Sequence, residues 1–161
     1  HLRNTMQLNP NSKRPVGYWD HWFIGLARYI STASKDPSTQ VGAVIVDKQN
    51  RVISTGYNGF AKGVKDSVDR LSNRDVKYSI VVHAEVNAIV FATQPLQGAT
   101  LYLYPFLSCS QCSSIIINSG IKRVVAPVND NPRWKDSFEM SKSIYHEAGV
   151  KVVMLTYEIT T

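Results

Sequence analysis

From His83 onward the chain alternates segments of helical spacing with short apolar runs, and this alternation constrains the fold more than any other feature. Residues 83–92 read as a helix, 100–104 as a strand, 109–119 as a helix, 121–126 as a strand, 135–148 as a helix and 150–155 as a last strand. Gly120 and Gly149 stand where helices end, positions that favour the left-handed backbone open to glycine. Upstream, Trp19, Trp22, Phe23, Leu26 and Ile30 repeat at helical spacing. The runs 41–47 and 51–55 flank the polar turn Lys48-Gln49-Asn50 and predict a β-hairpin. A helix, a hairpin and then alternating units predict an α/β fold, with helices on both faces of a five-stranded sheet that is mixed or parallel. The runs 123–126 and 150–155 are nearly continuous in apolar residues, as strands covered on both faces should be.

At 161 residues the chain has the size of one domain, read here as a single unit over 1–161 with a loose polar arm at 1–16. A 43% hydrophobic and 19% charged composition excludes a disordered chain. Two cysteines cannot staple a small scaffold, and no apolar run reaches the length of a membrane span. No secretory signal is visible at the start, where Met6, behind His1, is a candidate native first residue. Eighteen basic against twelve acidic side chains leave +6, which favours anionic partners such as phosphates, nucleotides or nucleic acid. Residues 56–79 read as a long polar loop, and loops of that length tend to be functional. Its bases, Lys62, Lys65, Arg70, Arg74 and Lys77, alternate with Asp66, Asp69 and Asp75. They form either a solvated surface or a region where one or two cations touch a substrate phosphate. Their scatter argues against the basic, aromatic-lined groove of a nucleic-acid editor.

The chemistry concentrates in His83-Ala84-Glu85 and Cys109-Ser110-Gln111-Cys112. Cys-x-x-Cys at a helix start puts both sulfurs on one face, where the positive end of the helix favours thiolate. Two sulfurs and one imidazole make three ligands, one short of a closed structural zinc site, and neither His1, His21 nor His146 has ligand spacing to the cluster. The inference is a catalytic zinc with an open position for water, made acidic by the metal. Glu85, two residues after His83, is placed to take a proton from that water without ligating. Taken alone, Cys-x-x-Cys also fits a redox pair, a single His a core residue and a single Glu a solvated charge. Free thiol ligands persist best in a reducing cytosol, which points to the cytoplasm, or the host cytoplasm for a phage or viral chain.

His-x-E followed by Cys-x-x-Cys is the pattern of zinc deaminases. With SKDPSTQVGAVIVD (34–47), STGYNGF (54–60), VVHAEVNAI (81–89), GATLYLYPFLSCSQCS (98–113) and NSGIKRVVAP (118–127), the chain resembles the cytidine deaminase-like superfamily, and most of all the deoxycytidylate (dCMP) deaminases. The resemblance implies a three-layer αβα sandwich with a five-stranded mixed sheet. It implies hydrolytic deamination of dCMP to dUMP and ammonia, supplying thymidylate synthesis. His83, Cys109 and Cys112 match the zinc ligands and Glu85 the proton shuttle. Asn58 matches a residue that contacts the nucleotide sugar, although Asn-Gly is also a turn signal. Ser34 and Lys35 sit where similar enzymes bind phosphate, Thr39 is a neighbour that could contact nucleotide, and the Ala84 N–H is a contact for the base carbonyl. Tyr104, Phe106 and Trp134 belong either to the core or to the base pocket. The resemblance also implies one zinc ion, a homohexamer, activation by dCTP with Mg2+ and inhibition by dTTP. Ser108 replaces the proline usually found before the first cysteine, and Ala61 replaces a proline after GYNGF, in a loop tied to regulation. The alternatives are a related deaminase acting on cytidine, a tRNA base or another pyrimidine, and a non-catalytic zinc-stabilised binding module, for which Glu85 would have no use.

Overall fold

A computed structural model describes residues 10–159. Residues 1–9 of the expected arm, with His1 and Met6, lie outside the described residues; residues 10–16 are exposed and carry neither helix nor strand. Helix α1 (Tyr18–Ser31) leads into the hairpin β1 (Gly42–Val46) and β2 (Val52–Tyr57). An excursion follows, with β3 (Gly59–Phe60), α2 (Val68–Ser72), α3 (Arg74–Ile80) and β4 (Val81–Val82). The alternating half is α4 (Ala84–Val90), β5 (Thr100–Tyr104), α5 (Ser110–Asn118), β6 (Arg123–Pro127), a 3-10 turn (Pro132–Trp134), α6 (Lys135–Glu147) and β7 (Lys151–Leu155).

The five-stranded sheet has the order β2-β1-β5-β6-β7. Its β1 pairs antiparallel with β2 and β5, whereas β5, β6 and β7 run parallel, so the sheet is mixed. The two-residue period of the strands sorts the core. Ala43, Ile45, Leu101, Leu103, Val124 and Ala126 face one way, with Ala84 and Ala88 of α4, Ile116 of α5 and Phe138 and Tyr145 of α6. Val44, Val46, Tyr102 and Val125 face the other way, onto Phe23, Ile24 and Ala27 of α1. The molecule is therefore a three-layer αβα sandwich with α1 as one layer and α4, α5 and α6 as the other.

Two glycines set the spacing of these layers. A Cβ at Gly42 would lie 1.9 Å from the Ala27 carbonyl oxygen, and one at Gly56 would lie 2.3 Å from that of Ala84. Only glycine lets α1 and α4 press this closely onto the hairpin, and the second contact fixes the start of α4, where the site is built.

The differences from the sequence reading have physical causes. The helix over 18–31 is present, but its buried stripe is Phe23, Ile24, Ala27 and Ser31. Trp19 and Trp22 are 36% and 45% exposed and pack around Phe23, Trp22 edge-on and Trp19 with its ring tilted. Asp20 turns that helix, accepting a two-pronged bond from Arg123 at 2.6 and 2.8 Å and a third from the Tyr102 hydroxyl at 2.7 Å. Strand β7 is half-exposed rather than covered on both faces because it is the sheet's edge. The segment 56–79 is not a plain loop: β3 and β4 pair at its base, and Ser67 and Asn73 cap its two short helices. Among the described residues, no helix is long and apolar enough to cross a membrane.

Candidate active site

Two helix starts meet at the floor of a cavity of about 470 Å³. His83 is the N-cap of α4 and Cys109 the N-cap of α5, both with extended backbone. An extended residue just before a helix aims its side chain across the helix mouth rather than along its flank. The Cys109 sulfur thereby accepts from the Cys112 N–H at 3.4 Å. His83 Nδ1 lies 3.1 Å from the Cys112 sulfur and 3.6 Å from that of Cys109. With a Glu85 carboxylate oxygen, the donor atoms of these four residues all lie within 4.8 Å of one another.

The electrostatics suit a cation. The Cys109 thiol is held well below its ordinary range by hydrogen bonding from Cys112, helped by His83 and by the Cys112 backbone N–H. The same contact pushes Cys112 upward, so one negative charge is concentrated on the pair. His83 is raised by its bond to Cys109 and by the charge of Glu85. Burial pushes Glu85 above the usual carboxylate range, against the opposing pull of His83. An imidazole nitrogen and two sulfurs of this kind are the donors that zinc takes, and the set fits that ion. Their side facing away from the protein opens into the cavity, which His83, Ala84, Glu85 and Cys109 all line. Glu85 is only 3% exposed.

Thr39 and Asn58 also reach the cavity. Of the two readings offered for Asn58, the structure shows it joining β2 to β3, while Asn50 alone among the described non-glycine residues has positive φ. Its side chain is a bracket, accepting from Val41 N–H at 2.8 Å and donating to the Thr39 carbonyl at 2.9 Å. Ser34 and Lys35 are not brought to the cavity. Ser34 is buried, and its hydroxyl donates to the Asn58 carbonyl at 2.8 Å. Lys35 extends outward, its side chain 71% exposed, to Asp66 at 2.8 Å. Phe106 and Trp134 stack 5.7 Å apart in the cavity wall, whereas Tyr104 packs against Tyr157 by the α1 layer. Ser108, where proline was expected, is buried and lines the cavity.

The cationic rim takes Arg74 and Lys77 from the basic set read in the sequence and adds Tyr78 and Arg133, which that reading did not single out. Arg74, Lys77 and Tyr78 share one face of α3, and Arg133 comes from the 3-10 turn opposite. Arg133 donates to the Tyr78 hydroxyl at 3.2 Å and lies 4.7 Å over the Trp134 ring. Arg74 lies 5.1 Å over Tyr78. Lys77 is buried and spent on Asp36 at 3.2 Å, with Ser38 at 3.3 Å. The spacing of Arg74, Lys77 and Tyr78 was a usable signal once 74–80 is read as helix; nothing local marks Arg133.

Comparison with known proteins agrees with this geometry. The family model described as the cytidine and deoxycytidylate deaminase zinc-binding region matches residues 18–128. An uncharacterised deaminase from the luxG 3′ region of Aliivibrio fischeri is 40% identical over 147 residues, covering 89% of this chain and 98% of its own. A probable deoxycytidylate deaminase of Caenorhabditis elegans is 45% identical over 130 residues, covering 78% of this chain; the chain spans 64% of that relative's length. The crystal structure of dCMP deaminase from cyanophage S-TIM5, in complex with dCMP and dUMP, superposes with a TM-score of 0.68 over 92% of this chain and 100% of its own, at 22% identity, and so shares the fold. Fold, donor set and sequence converge: this chain belongs to the cytidine and deoxycytidylate deaminase family.

Proposed function

We propose that the protein is a zinc-dependent hydrolase that converts dCMP and water to dUMP and ammonia. The observation that carries this reading is the buried carboxylate of Glu85 beside a His/Cys/Cys donor set, with the cavity opening onto it. His83, Cys109 and Cys112 would hold one zinc ion, which supplies the acidification of a water molecule toward neutral pH. Glu85 takes the proton released and delivers it to N3 of the cytosine. Water oxygen adds at C4; Glu85 then takes the second water proton from the new C4 hydroxyl and passes it to the exocyclic nitrogen, whose bond to C4 breaks to release ammonia and leave the uracil carbonyl. A carboxyl whose burial favours the protonated form is suited to hold each proton between its release and its delivery. A non-catalytic zinc module would have no reason to bury a carboxylate here.

The rim supports a nucleotide over a free nucleoside. Arg74 and Arg133 have no carboxylate partner among the described residues, and each is steadied by an aromatic ring at the mouth of the cavity. A guanidinium fixed in this way is suited to the planar, two-pronged binding of a phosphate. The anionic end of the substrate is therefore assigned to Arg74 and Arg133, in place of Ser34 and Lys35. Asn58 and Thr39 are assigned to the sugar side and the Ala84 N–H to the base carbonyl. The resemblance further supports a homohexamer of single-domain chains in the cytoplasm, activated by dCTP with Mg2+ and inhibited by dTTP.

The test is loss of cytosine absorbance when dCMP is added to the zinc-loaded protein, with Glu85→Ala and cytidine as comparisons. Turnover of dCMP by the natural chain alone is expected. Turnover of cytidine but not dCMP would overturn the substrate, and an inert natural chain that binds zinc would favour the binding module.

A further inference from the structure

Next to the Cys109 turn, where Ser108 borders the cavity, four hydroxyl side chains are shut inside the protein. Ser108 is 3% exposed, and Ser113, Ser141 and Tyr145 are each 0% exposed. Ser108 Oγ lies 2.7 Å from Ser113 Oγ and 2.6 Å from the Tyr145 hydroxyl. Ser113 Oγ donates to the Cys109 carbonyl at 2.8 Å, and Ser141 Oγ donates to the Ser108 carbonyl at 2.8 Å.

Each hydroxyl has one proton, and that fixes the direction of every bond. The proton of Ser113 is committed to Cys109, so Ser113 can only accept from Ser108. The proton of Ser108 is then committed to Ser113, so Ser108 can only accept from Tyr145. The result is a one-way chain from Tyr145 through Ser108 and Ser113 to the carbonyl of Cys109. Reversal would leave the phenol proton without an acceptor and set two bare oxygens against each other at Cys109. Burial pushes the Tyr145 phenol above its ordinary range, so it remains a donor. Bonds aligned head to tail polarise and strengthen one another.

This chain lies between α6 and the first turn of α5. Tyr145 and Ser141 hold Ser108 at its side chain and at its carbonyl, and Ser113 holds the next residue, Cys109. We propose that Tyr145, Ser108 and Ser113 are positioning residues that lock the Cys109 turn in the geometry that retains the metal. The inference rests on Cys109 being a zinc ligand, as proposed above. The side chain of Cys109 is aimed by its extended N-cap backbone, and a backbone released at its carbonyl lets that aim drift. Outer partners of metal ligands commonly change metal affinity by about 10–100-fold.

The experiment measures zinc release from the loaded full chain into a chromophoric chelator for the natural protein, Ser108→Ala, Tyr145→Phe, Ser113→Ala and Ser108→Thr. Val150→Ala is a control, a buried position outside the chain of hydroxyls and outside the cavity. Release is expected to quicken about tenfold or more in Ser108→Ala and Tyr145→Phe and to return toward the natural rate in Ser108→Thr. Val150→Ala should lower the melting temperature and leave release unchanged. The stabilisation that zinc adds to the melting temperature should shrink in the hydroxyl variants and not in the control. If Tyr145→Phe does not fold, Ser113→Ala removes the bond nearest the ligand and carries the same expectation. Release at the natural rate in the hydroxyl variants, or release that follows melting temperature alike in Val150→Ala, would overturn the positioning role. Failure of the natural chain to take up zinc would overturn the metal reading itself.

Discussion

The floor and the rim of the cavity are built in opposite ways. At the floor, His83, Glu85, Cys109 and Cys112 are held by the starts of two helices that rest on the central sheet, and Glu85 is 3% exposed. At the rim, Arg74, Tyr78 and Arg133 are exposed side chains on a short helix and a 3-10 turn, steadied by rings and by one bond of 3.2 Å between Tyr78 and Arg133. A bond-making site needs groups fixed to within about 0.5 Å, which rigid elements provide. Recognition of a phosphate can be met by guanidiniums at the surface, where the charge does most of the work. The two ends are expected to fail differently. A change at the floor should lower kcat, and a change at the rim should raise KM.

The largest effect is expected from Glu85→Gln, which keeps the shape of the side chain and removes its proton transfer. Loss of a positioned acid/base group costs about 100–10,000-fold in rate, so kcat for dCMP should fall by that order. Zinc content and KM should be little changed. A fall in KM-normalised rate through KM alone would place Glu85 in binding and erase the contrast between the two ends. Next in size is a buried ion pair in the cavity wall, beneath the rim. Lys77 and Asp36 have side chains 8% and 9% exposed and sit 3.2 Å apart. Removing one partner of a buried pair costs about 3–5 kcal/mol, because the other is left charged without compensation. Lys77→Met should lose about that much in urea unfolding, and adding Asp36→Asn should recover part of it. Full additivity of the two substitutions would show that they do not act as a pair.

The same contrast decides what the sequence could show. The floor was legible because its geometry is local: a ligand at a helix start, a carboxylate two residues on and a pair of cysteines one turn apart. The strands and the three layers were legible because apolar period tracks burial, in β1, β5 and β6 above all. The face of α1 was misjudged because indole rings count as apolar yet here cover a margin, while Asp20 is drawn inward by Arg123 and Tyr102. Ser34 and Lys35 matched a motif, but their side chains are used by Asn58 and Asp66, which sequence spacing cannot reveal. Arg133 meets Tyr78 across 55 positions of chain, a contact that exists only once the sheet is assembled. Gly56 carried a signal of another kind: its reason is the approach of α4, legible only afterwards.

At the rim, Arg133→Ala and Arg74→Ala should each raise KM for dCMP about tenfold and leave kcat unchanged, in keeping with about 1.5 kcal/mol for an exposed charge-assisted bond. Activity on cytidine, which has no phosphate, should not change in either variant. A loss shared by both substrates would show that these arginines support the cavity wall rather than the anion, and the rim would lose its separate role. Raising the salt concentration should reproduce the effect in the natural chain in a milder form, because exposed charges are screened.

The smallest effect is expected on the far face of the sheet, which calibrates the comparison by touching neither end. The Asp20 carboxyl is opposed by burial, but bonds from Arg123 and Tyr102 prevail and hold it below its ordinary value. A carboxyl depressed on folding stabilises the folded state above its unfolded value of about 3.9 and loses that contribution as pH falls through the lower folded value. Asp20→Asn should therefore cost about 1 kcal/mol at neutral pH, within the range of a partly exposed pair, and flatten the acid side of the stability curve. Melting temperatures of both proteins between pH 7 and about pH 2.5 measure the difference, which should close as the natural carboxyl is protonated. Values of kcat and KM for dCMP at neutral pH should match those of the natural chain, since α1 meets the site only through the sheet. A changed kcat would mean that the sheet transmits the set of α1 to the starts of α4 and α5, and the floor would then owe its geometry to both faces.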